Sequence, residues 1–225
     1  MAKKLLIWDF DGVIADSEKL WVKVWRDTLQ KLKNITLDNE QTADLLVGVA
    51  DKTRKSRIEQ QFTISLDDEF MKAINEGEIY QGTHFMEPID GVIDIMQDES
   101  FDNCIATGAT TEQHDWKMTR FGEIDKIIPR KYQFCVDMVE NGKPAPDLFL
   151  LAAKVKGYDK KDCIVIGDSL NDFAAAQAAG MNCVAFVGAT GNNTIHYRQK
   201  CEAAEVVDIA ATMVELHQKL LFIAK

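Results

Sequence analysis

The sequence predicts an α/β fold, in which a doubly wound parallel sheet carries a small α-helical domain inserted after the first strand. Several short apolar runs end in polar loop residues, as buried parallel strands do, and helical patterns lie between them. Strands that alternate with helices imply crossover connections and therefore a parallel sheet. One long stretch near the start shows helical periodicity without a convincing strand, and this stretch predicts the insert.

The predicted strands share one form, a short apolar run followed by glycine or polar residues. The first run, residues 4–8, leads into Asp9-Phe10-Asp11-Gly12. Similar runs follow at 103–106, 163–166 and 182–187, and a further candidate strand lies at 132–136. Ligands of open α/β sheets bind at the carboxyl ends of the strands, so the residues after these runs are the candidates for a site.

Helices are predicted at 146–156, 171–179 and 209–223, and Gly180 ends the second of them as a C-cap. In the insert, apolar residues such as Leu20, Val24 and Leu29 recur at helical spacing. We therefore expect an α/β core domain of residues 1–15 and 86–225 and an α-helical cap domain of residues 16–85. Because the insert follows the first strand directly, we expect it to form a lid over the carboxyl edge of the sheet.

The composition indicates a globular protein with a sizeable core, since 46% of the 225 residues are hydrophobic and 28% are charged. The net charge of −10 argues against nucleic acid or an anionic membrane as a partner, because both require a positive face. Acidic residues interrupt the first apolar run too early for a signal peptide or membrane span, so a cytoplasmic location is expected. The sequence leaves the oligomeric state open, and a monomer is compatible with it.

Asp9 and Asp11 form the centre of a candidate site. Residues two apart in an extended segment project to the same side, so the two carboxylates should point together, and Gly12 lets the backbone turn. Later strand ends and loops add the other groups that a phosphoryl site requires, namely Thr107, Lys143, Asp168 and Asp172. Each of these residues alone could be an ordinary surface residue, but their occurrence together favours a site.

A bound cation is expected at this edge of the sheet. Four carboxylates in a partly desolvated cleft would repel one another, so a positive charge should offset them. Mg²⁺ is the predicted cofactor because it prefers oxygen ligands, and the sequence contains no histidine or cysteine cluster suited to zinc.

Four ordered motifs resemble those of haloacid dehalogenase superfamily hydrolases. They are Asp9-Phe10-Asp11-Gly12-Val13-Ile14, Thr107-Gly108, Lys143-Pro144-Ala145-Pro146-Asp147 and Gly167-Asp168-Ser169-Leu170-Asn171-Asp172. A helical insert between the first two motifs resembles the subgroup that includes β-phosphoglucomutase-like proteins and sugar-phosphate phosphatases. The resemblance spans the whole chain and implies a Rossmann-like core, a helical cap and a phosphatase that acts on a small phosphorylated metabolite.

The resemblance implies a role for each residue of the site. Asp9 would be the nucleophile that attacks phosphorus, and Asp11 would protonate the leaving alkoxide and then act as the base for water. Thr107 would donate a hydrogen bond to a phosphoryl oxygen, and Lys143 would offset charge on the nucleophile and the phosphate. Mg²⁺ would bind Asp9, Asp168 and the backbone carbonyl of Asp11.

The remaining assignments concern residues around these groups. Asp172 would act through Lys143 or a metal-bound water. Gly108 and Ala109 would offer backbone N–H groups to the phosphate. Gly48 lies where such caps commonly carry a specificity loop, and one of the cations that follow it could hold an acidic group of the substrate: Lys52, Arg54, Lys55 and Arg57.

Several reactions occur in this family, and Asp11 favours ester hydrolysis over dehalogenation or phosphonate cleavage. A sugar phosphomutase of the β-phosphoglucomutase kind is the main alternative, but Trp21 stands where those enzymes carry a cap histidine. A catalytically silent binding module is an alternative of another class. The sequence thus predicts a phosphatase for a sugar phosphate or a sugar-acid phosphate that forms a phospho-aspartate.

Overall fold

A computed structural model describes residues 3–47, 51–189, 201–202 and 208–225. The chain divides into two compact units, one formed by Met1–Asp16 with Glu87–Lys225 and the other by Ser17–Met86. These boundaries lie one residue beyond those expected from the sequence. The role of the second unit as a cap over the sheet stays a prediction.

The first unit is built on a parallel sheet, which confirms the predicted fold class. The strands that pair in the described part of the chain lie in the order β3-β2-β1-β4-β5-β6. Because the chain runs outward from β1 in both directions, the topological switch point falls between β1 and β4, where open sheets bind ligands. The bounds of the strands are β1 Lys4–Trp8, β2 Phe101–Thr107, β3 Gln133–Cys135, β4 Cys163–Gly167, β5 Asn182–Phe186 and β6 Asp208–Ala210.

The helices of the first unit alternate with its strands, while no strand lies between the helices of the second unit in the part of the chain that the structure describes. The second unit contains α1 Glu18–Lys33, α2 Asn39–Leu46, α3 Asp51–Phe62 and α4 Asp68–Phe85. In the first unit the described helices are α5 Val92–Met96, α6 Thr111–Met118, α7 Gly122–Ile127, α8 Asp147–Lys156, α9 Leu170–Ala179 and α10 Met213–Ile223.

Both faces of β1 are covered, as its continuous apolar run predicts. On one face Leu5 and Ile7 are fully buried in a cluster that includes residues of α8 and α9. On the other face the ring N–H of Trp8 donates to Asn103 Oδ1 at 2.8 Å, and the Asn103 amide donates in turn to the carbonyl of Met96. β1 is therefore held rigidly at the centre of the sheet.

The predicted helix at 209–223 begins too early. Residues Asp208–Ala210 form β6, in which Ile209 pairs with Ala185 of β5, and α10 starts only at Met213. Thr212 caps the helix by accepting the N–H of Glu215 at 3.1 Å. A short apolar run has no periodicity of its own that separates a strand from the first turn of a helix, and this explains the error.

The second unit has its own apolar core. Trp25 and Leu29 of α1 are fully buried with Phe70 of α4, and the rings of Trp25 and Phe70 lie 5.9 Å apart. Asp38 starts α2 with a reciprocal capping box to Gln41, and Asp67 caps α4. Across the parts of both units that the structure describes, no helix combines the length and apolar character that crossing a membrane requires.

Candidate active site

Asp9 directly follows β1 at the switch point of the sheet. Its backbone N–H donates to the carbonyl of Ile166 in β4 at 2.9 Å, which joins the ends of the two strands. The chain then turns sharply, because the N–H groups of Ile14 and Ala15 both donate to the carbonyl of Phe10. This turn keeps Asp9 and Asp11 at the carboxyl edge of the sheet, as the sequence predicted.

Position 12 requires a glycine for two reasons, the backbone conformation of the turn and the close approach of Asp168. Its φ of +77° lies in the left-handed region. A Cβ atom at this position would lie 1.9 Å from Asp168 Oδ2. The backbone of the first motif therefore approaches the carboxylate of the fourth motif more closely than any side chain at position 12 would permit.

Lys143 lies between two carboxylates. Its Nζ donates to Asp9 Oδ1 at 2.7 Å and forms an ion pair with Asp172 Oδ1 at 2.6 Å, and its side chain is 7% exposed. Burial alone would lower the pKa of Lys143, but the charges of Asp172 and Asp9 outweigh burial and raise it. Lys143 is therefore a fixed positive charge beside Asp9.

Asp9 carries a strongly perturbed carboxyl group. Burial raises its pKa to about 7, since Lys143 lowers the pKa by less than burial and Asp172 together raise it. A further positive charge near Asp9 would lower this pKa and keep the carboxylate ionised at neutral pH. The electrostatics of the site thus favour a cation beside Asp9.

Three carboxylates are close enough to share such a cation. One oxygen each from Asp9, Asp168 and Asp172 lies within 4.8 Å of the others. Both oxygens of Asp172 are already engaged, one by Lys143 and the other by the N–H and hydroxyl of Ser169 at 3.1 and 2.5 Å. These contacts place Asp172 against Lys143 and Ser169, and they leave Asp9 and Asp168 as the candidate side-chain ligands of a cation. Hard carboxylate oxygens of this kind fit Mg²⁺.

Thr107 ends β2 and is 1% exposed. Its Oγ1 accepts the backbone N–H of Ala109 at 3.1 Å, whereas Gly108 is exposed. In this arrangement the Ala109 N–H is already paired, so it would have to change partner before it could donate to a phosphate. The Thr107 hydroxyl keeps its own proton to donate.

Lys117 is a residue of the site that the sequence interpretation missed. It lies on α6, and its Nζ donates to Asp11 Oδ2 at 2.5 Å. Its helical spacing from His114 could have indicated its burial, because His114, Lys117 and Met118 share the buried face of α6. A lysine on an otherwise buried helix face needs a negative partner.

The basic residues of α3 make contacts inside the second unit. Arg54 is 4% exposed and donates to the carbonyl of Leu46 and to Glu18. Lys55 and Arg57 also donate to backbone carbonyls of this unit. Gly48 and the side chain of Lys52 lie outside the described residues, so their predicted roles stay predictions.

Comparisons with known proteins agree on one family. The model of the family described as haloacid dehalogenase-like hydrolase matches residues 6–186. A relative from Arabidopsis thaliana, named (DL)-glycerol-3-phosphatase 2, is 28% identical over 186 residues, which cover 80% of this chain and 77% of that protein.

Solved structures match the fold over the full chain. A haloacid dehalogenase-like protein from Agrobacterium tumefaciens has a TM-score of 0.87 at 22% identity, with all of both chains covered. A HAD family hydrolase from Deinococcus radiodurans, with bound phosphate and sodium, has a TM-score of 0.81 at 20% identity, covering 98% of this chain and 96% of that one. At these identities the likeness establishes the fold.

Proposed function

Since the chain belongs to the haloacid dehalogenase-like hydrolase family, which its four motifs had indicated, we propose that it is a Mg²⁺-dependent phosphatase that forms a phosphorylated Asp9. The chain is a hydrolase of this family, and relatives named as phosphatases support phosphoric monoesters as its substrates. The observation that carries the proposal is the buried Lys143 fixed between Asp9 and Asp172, with Asp168 beside them.

The residues fit a magnesium ion. Asp9, Asp168 and the backbone carbonyl of Asp11 would hold it, and the approach of Asp168 to Gly12 fixes one of these ligands against the first motif. Bound there, Mg²⁺ would offset the charges of the phosphate and of the two carboxylates. Asp172 would contribute through Lys143.

Asp9 would act as the nucleophile. Its carboxylate forms a bond to phosphorus while the bond from phosphorus to the ester oxygen breaks, and Lys143 keeps the attacking carboxylate oriented. Asp11 donates its proton to the leaving oxygen. In the second step Asp11 takes a proton from water, the water oxygen attacks phosphorus, and the bond to Asp9 breaks. Thr107 would donate a hydrogen bond to a phosphoryl oxygen.

The substrate class that we propose is a small sugar phosphate or sugar-acid phosphate. The relative named as a glycerol-3-phosphatase supports a small polyol phosphate of similar chemistry. Gly48 remains our candidate for a substrate contact, together with the backbone N–H groups of Gly108 and Ala109. The cytoplasmic location predicted from the sequence stays a prediction.

The test is hydrolysis of p-nitrophenyl phosphate and of a panel of phosphorylated metabolites, with Mg²⁺ and with a chelator. We expect Mg²⁺-dependent release of phosphate, and a loss of at least about 10³-fold in kcat for Asp9→Asn. Asp159→Asn is the matched control, because Asp159 has a side chain that is 79% exposed. This variant should retain wild-type activity.

Three other results would contradict the proposal. Turnover that persists in the presence of the chelator would show that the reaction requires no metal ion. A folded protein without turnover on any phosphate ester would favour a binding module. Conversion of glucose 1-phosphate to the 6-phosphate, with a trace of the bisphosphate and without free phosphate, would favour a phosphomutase.

A further inference from the structure

Lys117 occupies an unusual position for a lysine. α6 begins two residues after Ala109 with a reciprocal capping box between Thr110 and Gln113, which fixes the start of the helix. From that start, Lys117 falls on the face that is buried in the first unit, and its side chain is only 9% exposed. The helix therefore directs an ammonium group into the protein rather than into solvent.

Two aromatic rings and a carboxylate lie near the ammonium group of Lys117. Its Nζ lies 5.9 Å from the ring centroid of Phe10 and 5.7 Å from that of Trp116. Phe10 is itself fully buried and packs edge-on against Phe121. These rings restrict the lysine stem, and the Nζ reaches Asp11 Oδ2 at 2.5 Å. A cation held this way fixes the carboxylate that it contacts.

The two carboxylates with proposed chemical roles thus contact different lysines. Lys143 contacts Asp9 and Asp172 from the turn before α8, while Lys117 contacts Asp11 from α6. The side chain of Asp11 is 34% exposed, and its contact with Lys117 restricts the rotamers that the carboxylate can adopt. We propose that Lys117 is a positioning residue that fixes the Asp11 carboxyl group for proton exchange with the leaving oxygen and with water.

This inference rests on the proposed function and adds a residue to it. In the first step, the bond from phosphorus to the ester oxygen breaks as that oxygen takes the proton of Asp11. A poor leaving group needs this proton, whereas a good leaving group departs without it. Loss of a residue that positions Asp11 should therefore slow the hydrolysis of alkyl esters much more than that of activated aryl esters. A merely structural role of Lys117 would affect both substrates alike.

The experiment compares kcat/KM for glycerol 3-phosphate, phenyl phosphate and p-nitrophenyl phosphate in the presence of Mg²⁺. For Lys117→Met we expect a loss of at least about 30-fold on glycerol 3-phosphate and of less than about 3-fold on p-nitrophenyl phosphate, with phenyl phosphate between them. The ratio of two kcat/KM values does not depend on the concentration of active enzyme. The test therefore holds even if part of the variant is misfolded.

Lys4→Met is the matched control. Lys4 also forms a partly buried ion pair, with Asp162 Oδ1 at 2.6 Å, but it lies at the opposite end of β1 from Asp9. Its loss should leave the ratio between substrates unchanged. In an Asp11→Asn background, Lys117→Met should cause little further change in kcat/KM, because its effect passes through Asp11.

The outcomes separate this inference from the proposed function. If the wild type hydrolyses none of the three esters, the proposed function fails. If the wild type is active and Lys117→Met lowers all three values equally, or lowers none, Lys117 does not position Asp11. A further loss of the same size in the Asp11→Asn background would also overturn the inference.

Discussion

Lys143 forms ion pairs with two buried carboxylates, those of Asp9 and Asp172, so its single positive charge does not balance both of them. Burial and Asp172 together raise the pKa of Asp9 to about 7 although Lys143 is 2.7 Å away. The arrangement is consistent with a residue that is fully ionised only when a cation is bound. The charge balance of these residues therefore supports the proposed Mg²⁺ site.

Gly12→Ala tests how closely two motifs must approach. The new Cβ would clash with Asp168, so we expect Mg²⁺-dependent activity to fall at least about 10²-fold, because Asp168 must move. The left-handed φ should also lower the free energy of unfolding by about 1–2 kcal/mol. Activity and urea denaturation measure the two effects separately.

Gly157→Ala is the control for this prediction. Gly157 has nearly the same φ, +76°, but a Cβ atom there would meet nothing within 4 Å. It should lose a similar amount of stability and keep its activity. Equal activity in the two variants would show that the contact between Gly12 and Asp168 has no part in metal binding.

Residues of the site were predictable where each is the last residue of a strand or directly follows one, because an apolar run in the sequence indicates where a buried strand ends. This applies to Asp9, Thr107 and Asp168, which the structure places at the carboxyl edge. Lys117 was not predictable in the same way, since its contact with Asp11 spans 106 residues of sequence. Such a contact depends on how α6 packs rather than on any local pattern.

At the level of elements, α6 and β3 share a buried polar contact. His114 of α6 is fully buried, and its Nε2 lies 2.7 Å from Gln133 Oε1 at the start of β3. Gln133 also donates to the carbonyl of Ile128 and to Asp125. Burial lowers the pKa of His114, and nearby Arg130 and Lys117 add to this effect. The imidazole is therefore neutral in the folded state at neutral pH.

His114 should make the first unit sensitive to acid. Its pKa is lower in the folded state than in the unfolded state, where it is about 6.5. Below pH ~6.5 the unfolded state therefore binds more protons at His114, so this residue alone makes the free energy of unfolding fall with decreasing pH, by up to about 1.4 kcal/mol per pH unit. Asp9, whose pKa is raised to about 7, contributes a slope of opposite sign when no cation is bound, so the contribution of His114 is the difference in slope between the wild type and a variant that lacks His114. Urea denaturation between about pH 5 and 7.5, without Mg²⁺, measures this slope. The free energy of unfolding of His114→Met, taken relative to the wild type, should rise as the pH falls, and a difference that does not change with pH would contradict the assignment.

Long periodic elements were also easier to predict than short ones. The helices predicted at 146–156 and 171–179 end at the same residues as α8 and α9, because Gly157 and Gly180 terminate these helices in left-handed C-caps, and their starts differ by one residue. β6 was missed because its three residues lack a pattern of their own. Pairing with β5 makes this segment a strand, and pairing is a tertiary property.

At the scale of the whole molecule, a parallel sheet and a helical insert divide the chain into two compact units. The sheet places the switch point, and hence the site, between β1 and β4. The insert holds its own core, with its basic residues Arg54, Lys55 and Arg57 engaged inside it. The residues of the proposed reaction thus lie in the first unit, and a part of Gly48 in the choice of substrate stays a prediction.

The proposed mechanism requires that Asp9 becomes phosphorylated, and peptide mapping of the acid-quenched protein detects this intermediate. The protein would be mixed with a phosphate ester and Mg²⁺, quenched within milliseconds, digested at low pH and analysed by mass spectrometry. We predict a phosphoryl group on Asp9 in the wild type and none in Asp9→Asn. Turnover without any phosphorylated peptide, or a phosphoryl group on a residue other than Asp9, would contradict the account.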